Sequence, residues 1–380
     1  MFKVLLANIE NWDSISEVPS LLKKAGCIVD VLCSDDSWSI SNSYFDNWIP
    51  CINDPEIFKN KIIQFAEEEQ YDWIILGDDS LLKLMNEFVN DEKLFQKILP
   101  LTKIENRDLL GSKAGFSNIC EKYKILTPNF LVYENQSVEF ICSKISFPML
   151  LKEDLSWSGL GIVRCDNENE LRKNLELIED KSNLVIQKYI DGDDVGVEAL
   201  FKDGQLIMVA CSKILTYMNG DFGVTTRRIY YANKEIETKV IELGELIGIN
   251  GFANLAYMFD DLTDQYYLIE IDLRLNSWFA YGKFAGCDFV DGIKQFLNPD
   301  SKVLSKNYAT VKQSTEIALF YKDIRRSIIA GDYANIFAWL FNLNGYWKFI
   351  PFYDTVLLKK YWKEWKPLIS KRIKRKFFKS

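Results

Sequence analysis

The 380-residue chain contains no histidine. That absence excludes every mechanism built on an imidazole: histidine-based triads, histidine-ligated zinc and histidine proton shuttles. Chemistry must then run on carboxylates, lysine, arginine, backbone dipoles and bound metal. The eight cysteines (Cys27, Cys33, Cys51, Cys120, Cys142, Cys165, Cys211 and Cys287) are scattered without a C-x-x-C pair. Neither a zinc site nor a disulfide framework is expected from that spacing, and a reducing cytoplasm is the natural setting. No apolar run approaches the roughly 20 residues needed to span a bilayer. The apolar start meets Asn8 and Glu10 too soon for a secretory leader, so Lys3–Ala7 reads as a first strand. G-x-G-x-x-G does not follow that strand, and G-x-x-x-x-G-K-[ST] is absent. Dinucleotide binding there is unsupported, and the chain has no P-loop.

Charge is unevenly placed. Of 46 basic and 54 acidic residues, ten bases and one acid (Glu364) fall between Lys359 and Ser380, which leaves 36 bases and 53 acids elsewhere. The strongly acidic body argues against nucleic acid as a partner. The basic end interleaves Tyr361, Trp362, Trp365, Phe377 and Phe378 with Lys and Arg. Such a segment suits an anionic membrane surface, or equally a solvated or packed tail, and Pro367 is expected to divide it into two short pieces.

Periodicity predicts strand–helix alternation at the start: strands at Lys3–Ala7, Ile28–Cys33 and Trp73–Leu76, with helices at 18–25, closed by Gly26, and 54–69. This βαβ pattern implies a parallel sheet with helices on its faces. A helix is expected over 109–123, stopped by Thr127-Pro128. Shorter strands follow at 148–152, 162–165, 184–187, 195–202 and 205–213, with an Asp203-Gly204 hairpin signal between the last two. A helix at 234–246, strands at 252–259 and 265–273, and a helical, aromatic segment from about residue 321 complete the pattern.

Four pieces carry chemistry, and their order matters more than any one alone. Phe147-Pro148-Met149-Leu150-Leu151-Lys152 is a strand ending in a lone lysine, followed by a small loop, Ser156-Trp157-Ser158-Gly159-Leu160-Gly161. Such a loop lets backbone N–H groups approach phosphate oxygens while the lysine supplies a point charge; alone, it is also an ordinary turn. Next, Val185-Ile186-Gln187-Lys188-Tyr189-Ile190 runs into an acidic turn ending at Asp194. Its free backbone groups suit an adenine edge and a carboxylate there suits ribose hydroxyls, although a plain strand and turn read the same way. Glu270, Asp272 and Arg274 alternate with apolar residues and so share one strand face. Paired carboxylates suit Mg²⁺ and the arginine suits a γ-phosphate; a solvated ion-paired face is the alternative. Lastly, Lys113 stands near the head of the helix before Lys124-Ile125-Leu126-Thr127-Pro128, where a lysine is ordinarily solvated.

In this order the pieces resemble the ATP-grasp superfamily, in particular its carboxylate–amine ligases and the ATP-binding modules of carbamoyl phosphate synthase, over about residues 1–300. The resemblance implies a mixed α/β and α+β architecture: a Rossmann-like pre-ATP-grasp lobe at 1–105, a two-lobed ATP-grasp fold at 106–300 with a flap subdomain at about 126–190, and a helical basic C-terminal region at 301–380. It also implies that Lys113 and Lys152 bind the α- and β-phosphates. Ser158, Gly159 and Gly161 would form the flap, with Gln187, Lys188, Tyr189 and Ile190 as the adenine hinge and Asp194 on the ribose. Glu270 and Asp272 would hold Mg²⁺ (Mn²⁺ being an alternative), and Arg274, with Lys152, would act on the transferred phosphoryl group. The reaction implied is phosphorylation of a carboxylate by ATP, then attack by an amine on the acyl phosphate. A nucleotide-binding regulatory module with little turnover, and a kinase stopping at phosphoryl transfer, are the alternatives.

Two departures from the family pattern stand out. Asp272 occupies a position where asparagine is usual, and Ala256 and Tyr257 stand where the preceding strand usually offers a second ligand; Asn254 or Asp260 would substitute only in a different register. Lys213, Arg227 and Arg228 fall where the family places its acceptor pocket and are candidates for an anionic substrate, or strand-face charges. The acceptor is expected to be a small-molecule or lipid-linked carboxylate, in a cytoplasmic protein with peripheral membrane contact through 359–380.

Overall fold

The computed structural model describes residues 1–377 except Leu155, Trp157, Ser158, Asn219 and Asp221, with side chains described as far as Arg372. The first lobe contains β1 (Lys3–Ala7), α1 (Val18–Lys24), β2 (Ile28–Cys33), β3 (Asn47–Pro50), α2 (Pro55–Glu67), β4 (Trp73–Leu76), α3 (Asp79–Phe88) and α4 (Glu92–Ile98). Its four strands pair in parallel in the order β3-β2-β1-β4. The strands read as continuous apolar runs because helices cover both faces of such a sheet. β3 was not expected from the sequence: its Asn-Trp-Ile-Pro lies at the sheet edge and is mostly exposed, so it lacks a buried-strand pattern. Three helices start on aspartate caps, Asp54, Asp78 and Asp91, each accepting from backbone N–H groups of its first turn.

The expected helix at 109–123 starts later. Residues Ile104–Leu109 form a 3-10 turn, and α5 runs Lys113–Tyr123 behind a Ser112 cap that accepts from the Gly115 amide. A Cβ on Gly115 would lie 1.8 Å from the Asp108 carbonyl oxygen, so only glycine lets the 3-10 turn fold back onto the helix. The connection is fastened to the second lobe, where Lys103 Nζ donates to the carbonyls of Glu245 and Leu246 at 2.8 and 3.0 Å. These are orphan carbonyls at a helix end, where a cation is favoured.

A small lobe contains β5 (Phe130–Val132), α6 (Val138–Lys144), β6 (Met149–Lys152), β7 (Ile162–Cys165), α7 (Glu168–Leu177) and β8 (Val185–Lys188), with sheet order β5-β8-β6-β7. Its apolar residues form a cluster of their own, including Ile141, Met149, Leu151, Leu171 and Ile186. It is therefore a unit with its own core.

The central sheet has six strands in the order β13-β12-β9-β10-β11-β14. In chain order, with two helices between them, the strands are β9 (Asp193–Lys202), β10 (Gln205–Tyr217), β11 (Thr225–Tyr230), then α8 (Lys234–Ile247), β12 (Gly251–Asp260), β13 (Gln265–Asp272), then α9 (Phe289–Leu297) and β14 (Thr315–Ala318). Asp203 and Gly204 both take positive φ, 51° and 79°, which gives the expected hairpin. β14 joins this sheet, so the third segment is not wholly helical: it begins by completing the second lobe. Helices α10 (Phe320–Ala330), α11 (Tyr333–Leu340) and α12 (Thr355–Phe377) follow.

α12 is one 23-residue helix with Pro367 inside it, not two pieces. Packing outweighs the hydrogen bond that proline removes. Tyr361 and Trp365 stack on Tyr321 of α10, with ring centroids 4.6 and 5.8 Å away. Tyr361 also lies 6.1 Å from Trp38 of the first lobe.

Candidate active site

A cavity of about 900 Å³ lies where the three lobes meet. Lys113, Lys152, Gly159, Gln187, Lys188, Tyr189, Ile190, Asp194, Arg228, Glu270, Asp272 and Arg274 all line it. Gly161, Lys213 and Arg227 are not among its lining residues, and Ser158 lies outside the described residues.

Lys152 ends β6 as a buried residue. Burial pulls its ammonium pKa down to about 8 and nearby Lys113 adds to the effect, while Glu270 and Asp194 oppose it. A desolvated cation of this kind gains most when an anion enters the cavity. Lys113, at the start of α5, donates to the carbonyls of Asp154 and Ser156 at 3.1 and 2.7 Å. Asp154 in turn accepts from Ser112 Oγ and the Ala114 amide. The lysine thus ties the loop after β6 to the helix start.

Gly159 and Gly161 take φ of 78° and 72°, the left-handed region that glycine enters without penalty. A Cβ on Gly159 would sit 2.1 Å from the Phe222 carbonyl oxygen, so this loop closes against the turn after β10 only as glycine. Asp194, at the start of β9, accepts a hydrogen bond from Tyr217. Burial holds its carboxyl above the usual range despite that bond.

The carboxylate strand carries a bulge. Ala256 pairs with Glu270 and Tyr257 with Leu268, leaving Ile269 as the extra residue beside Glu270. Bulges re-aim neighbouring side chains and are frequent next to sites. Glu270 and Asp272 both face the cavity. Burial holds Asp272 well above the usual carboxylate range, Glu270 reinforces this, and Arg274 opposes it. Two carboxylates forced together in this way are arranged for a cation. Among the described residues there is no group of three or more metal-binding side chains. The pair nevertheless fits Mg²⁺, which characteristically takes one or two carboxylates and completes its shell with phosphate oxygens and water.

The register also answers where a substitute ligand lies. Asn254 sits opposite Asp272 and lines the cavity, but accepts from Asn276 Nδ2 at 2.6 Å and donates to the Arg274 carbonyl. Asp260 pairs with Gln265 and holds its own turn through Leu262 and Thr263. It is not among the cavity-lining residues.

Arg274 donates from Nε to Asp79 Oδ1 at 2.8 Å and lies 3.3 Å from Asp272 Oδ2. Its guanidinium also lies over the Trp12 ring, 4.9 Å from the centroid. The first lobe therefore aims the arginine, a role for Asp79 and Trp12 that sequence reading missed. The only local signal was the Gly77-Asp78-Asp79 turn at the end of β4.

Arg228 reaches across the sheet to Glu198 at 2.6 Å, a buried pair completed by Tyr230, which donates to Glu198 at 3.0 Å. A Cβ on Gly196 would lie 2.6 Å from Arg228 Nη1, so the missing side chain makes room for the guanidinium. Arg227 points away, into a network around the fully buried Asp323 that also takes in Thr226, Arg326, Asn335 and Trp339. It fastens α10 and α11 to β11. Lys213 pairs with Asp193 at 2.5 Å on a half-exposed edge. The alternation of β10 and β11 explains this split, since neighbours along a strand face opposite ways.

Beyond Arg274 the cavity continues between the first lobe and the C-terminal helices. Trp12, Asp13, Trp38, Tyr321, Lys322, Arg325 and Glu364 line this end. Asp13 pairs with Lys322 at 3.1 Å, and Arg325 reaches the same carboxylate only at 3.8 Å. None of these residues was a sequence candidate, because they lie hundreds of positions apart and belong to no local pattern.

Comparison with known proteins agrees with this geometry. Residues 112–277 match the model of the ATP-grasp domain family. The chain is 25% identical over 248 residues to the carbamoyl phosphate synthase large chain of Clostridium beijerinckii, covering 60% of this chain and 22% of that protein. It is 24% identical over 277 residues to the phosphoribosylamine–glycine ligase of Fusobacterium nucleatum, covering 63% of this chain and 62% of that one. It therefore spans from about a fifth to three fifths of the length of these two relatives. The biotin carboxylase domain of the Hydrogenobacter thermophilus 2-oxoglutarate carboxylase, solved with MgADP, ADP and bicarbonate, superposes with a TM-score of 0.61 at 17% identity, covering 83% of this chain and 73% of that one. The cavity residues from Lys113 to Arg274 fall inside the matched region, so residues 112–277, which hold them, form an ATP-grasp domain.

Proposed function

We propose that the chain is an ATP- and Mg²⁺-dependent ligase that activates a carboxylate as an acyl phosphate and joins it to an amine. The observation that carries this reading is the convergence, in one cavity, of two lysines, a carboxylate pair suited to Mg²⁺ and an arginine held by Asp79 and Trp12 of the first lobe. Lys113 and Lys152 hold the α- and β-phosphates, Gln187 to Ile190 offer main-chain groups to adenine, and Asp194 takes the ribose. The loop bearing Gly159 and Gly161 covers the phosphates and keeps water from the acyl phosphate. Glu270 and Asp272 hold the metal, with Mn²⁺ as an alternative to Mg²⁺. A metal held by these two carboxylates would supply positive charge to offset the charge that builds during transfer. Arg274 stabilises the same charge from the protein side.

Arg325 and Arg228 are suited to receive the substrate carboxylate. Arg325 is the less engaged of the two, its ion pair to Asp13 being a long one. The carboxylate is a small molecule or is carried on a lipid, and the outward Lys359, Lys363, Lys366 and Lys371 support peripheral contact of 359–380 with an anionic membrane.

One observation favours a second reading. Ala256 stands directly opposite Glu270 and offers no ligand, so a nucleotide-binding module with little turnover would tolerate this site. ADP release from MgATP over a panel of carboxylates and amines separates the readings, with Glu270→Ala as control. Acceptor-dependent release, reduced about a thousandfold in the variant, is the expected result. Tight ATP binding with no acceptor-dependent release would favour the module.

A further inference from the structure

Helix α11 leaves one side bare. Phe337 and Leu340 on the helix, and Phe341 and Leu343 just beyond it, are 55, 62, 66 and 69% exposed. Phe337 and Phe341 stack on each other, with centroids 6.0 Å apart. Their opposite neighbours Asn335, Ala338 and Trp339 are buried, so the helix is firmly seated and the bare side is a built surface. Contiguous apolar exposure of this kind marks an interaction site more often than chance.

The neighbouring helix supplies charge. On α12, Lys359, Lys363, Lys366 and Lys371 face outward with Trp362, whereas Tyr361 and Trp365 face inward. The helix's one acid, Glu364, pairs with Lys360 at 2.9 Å and lines the cavity, leaving the outer face cationic. The two faces adjoin: Arg372 donates to the carbonyls of Ile329 and Ala330 at 2.9 and 3.2 Å, at the corner where α10 ends and α11 begins. No helix among the described residues is long and apolar enough to cross a membrane.

We infer that the bare face of α11 and the outer face of α12 together dock on the surface of an anionic lipid bilayer, with the rings of α11 in the interface and the lysines of α12 at the head groups. This rests on the reading of 359–380 as membrane-facing and adds the apolar half of the contact. Aromatic rings and lysines divide in this way at interfaces, and neither signal alone anchors a protein stably. A second copy of the chain would meet the outer lysines of α12 with lysines of its own wherever that face was shared, which disfavours self-association as the occupant.

Co-sedimentation with phosphatidylcholine vesicles, with and without phosphatidylserine, tests this on the full chain. Two variants are needed, Phe337→Ser/Phe341→Ser and Lys359→Gln/Lys363→Gln/Lys366→Gln. All these residues are solvent-exposed, and unchanged ATP binding serves as the folding control. Partitioning onto phosphatidylserine vesicles is expected to fall at least tenfold in each variant, and in the wild type at high salt. Loss in the lysine variant alone would overturn the role of α11 while leaving the basic segment's role standing. Absence of wild-type binding would overturn both. A wild-type dimer that the phenylalanine variant dissociates would assign the face to a second copy and overturn the inference.

Discussion

The two ends of the cavity are built in different ways. The end proposed for the nucleotide takes its residues from Lys113 to Arg274, on consecutive elements of the matched domain. The far end takes Trp12 and Asp13 from a loop, Trp38 from a 3-10 turn, Lys322 and Arg325 from α10 and Glu364 from α12. Charge handling differs as well. At the end proposed for the nucleotide, Lys152 is desolvated and Glu270 stands against Asp272, an arrangement that suits phosphate and metal. At the far end opposite charges already meet, in Asp13–Lys322 and Lys360–Glu364. One end is arranged for a fixed ligand of high charge; the other presents a mixed surface, free to vary without disturbing phosphate chemistry.

Substitutions sharpen that contrast. Of the three that compare the two ends, Arg274→Ala is expected to have the largest effect, lowering kcat about a hundredfold while leaving ATP affinity nearly unchanged. Steady-state ADP release alongside equilibrium ATP binding measures both. An equal loss of ATP affinity would mean that Arg274 serves binding, not transfer. Arg325→Ala comes next: an increase of about tenfold in KM for the carboxylate, with KM for ATP unchanged, follows from losing one charge-assisted contact. If KM for ATP moved instead, the two ends would not be separate. Lys213→Ala should do least. Its pair with Asp193 is half-exposed, so the change in stability should stay within about 0.5 kcal/mol by denaturant titration, with both KM values intact. A substrate role for Lys213 would show as a raised acceptor KM.

The same contrast separates what the sequence disclosed from what it hid. Local order made the nucleotide end readable: a lysine closing a strand, a loop with two glycines, and acids at alternate strand positions. The Asp203-Gly204 turn was equally plain, because φ > 0 at both positions demands such residues. β11 escaped notice since Thr-Thr-Arg-Arg-Ile-Tyr looks polar; its two arginines are neutralised by Glu198 and Asp323, distant partners that no local pattern reveals. The far end was hidden for the same reason. Asp79 aims Arg274 across 195 positions, and Asp13 reaches Lys322 across the whole body of the chain. Pro367 misled because local propensity was overruled by the stacking of Tyr361 and Trp365 on α10.

The central claim is that the γ-phosphoryl group passes to a carboxylate oxygen. Once the panel has identified an acceptor, the direct measurement is turnover with its carboxylate labelled with ¹⁸O, followed by mass analysis of the released phosphate. Transfer of one ¹⁸O into phosphate per amide formed is the result this account predicts. Phosphate carrying no ¹⁸O, its one new oxygen drawn from solvent water, with ADP formed at the same rate, would contradict it and show that water takes the phosphoryl group at this site.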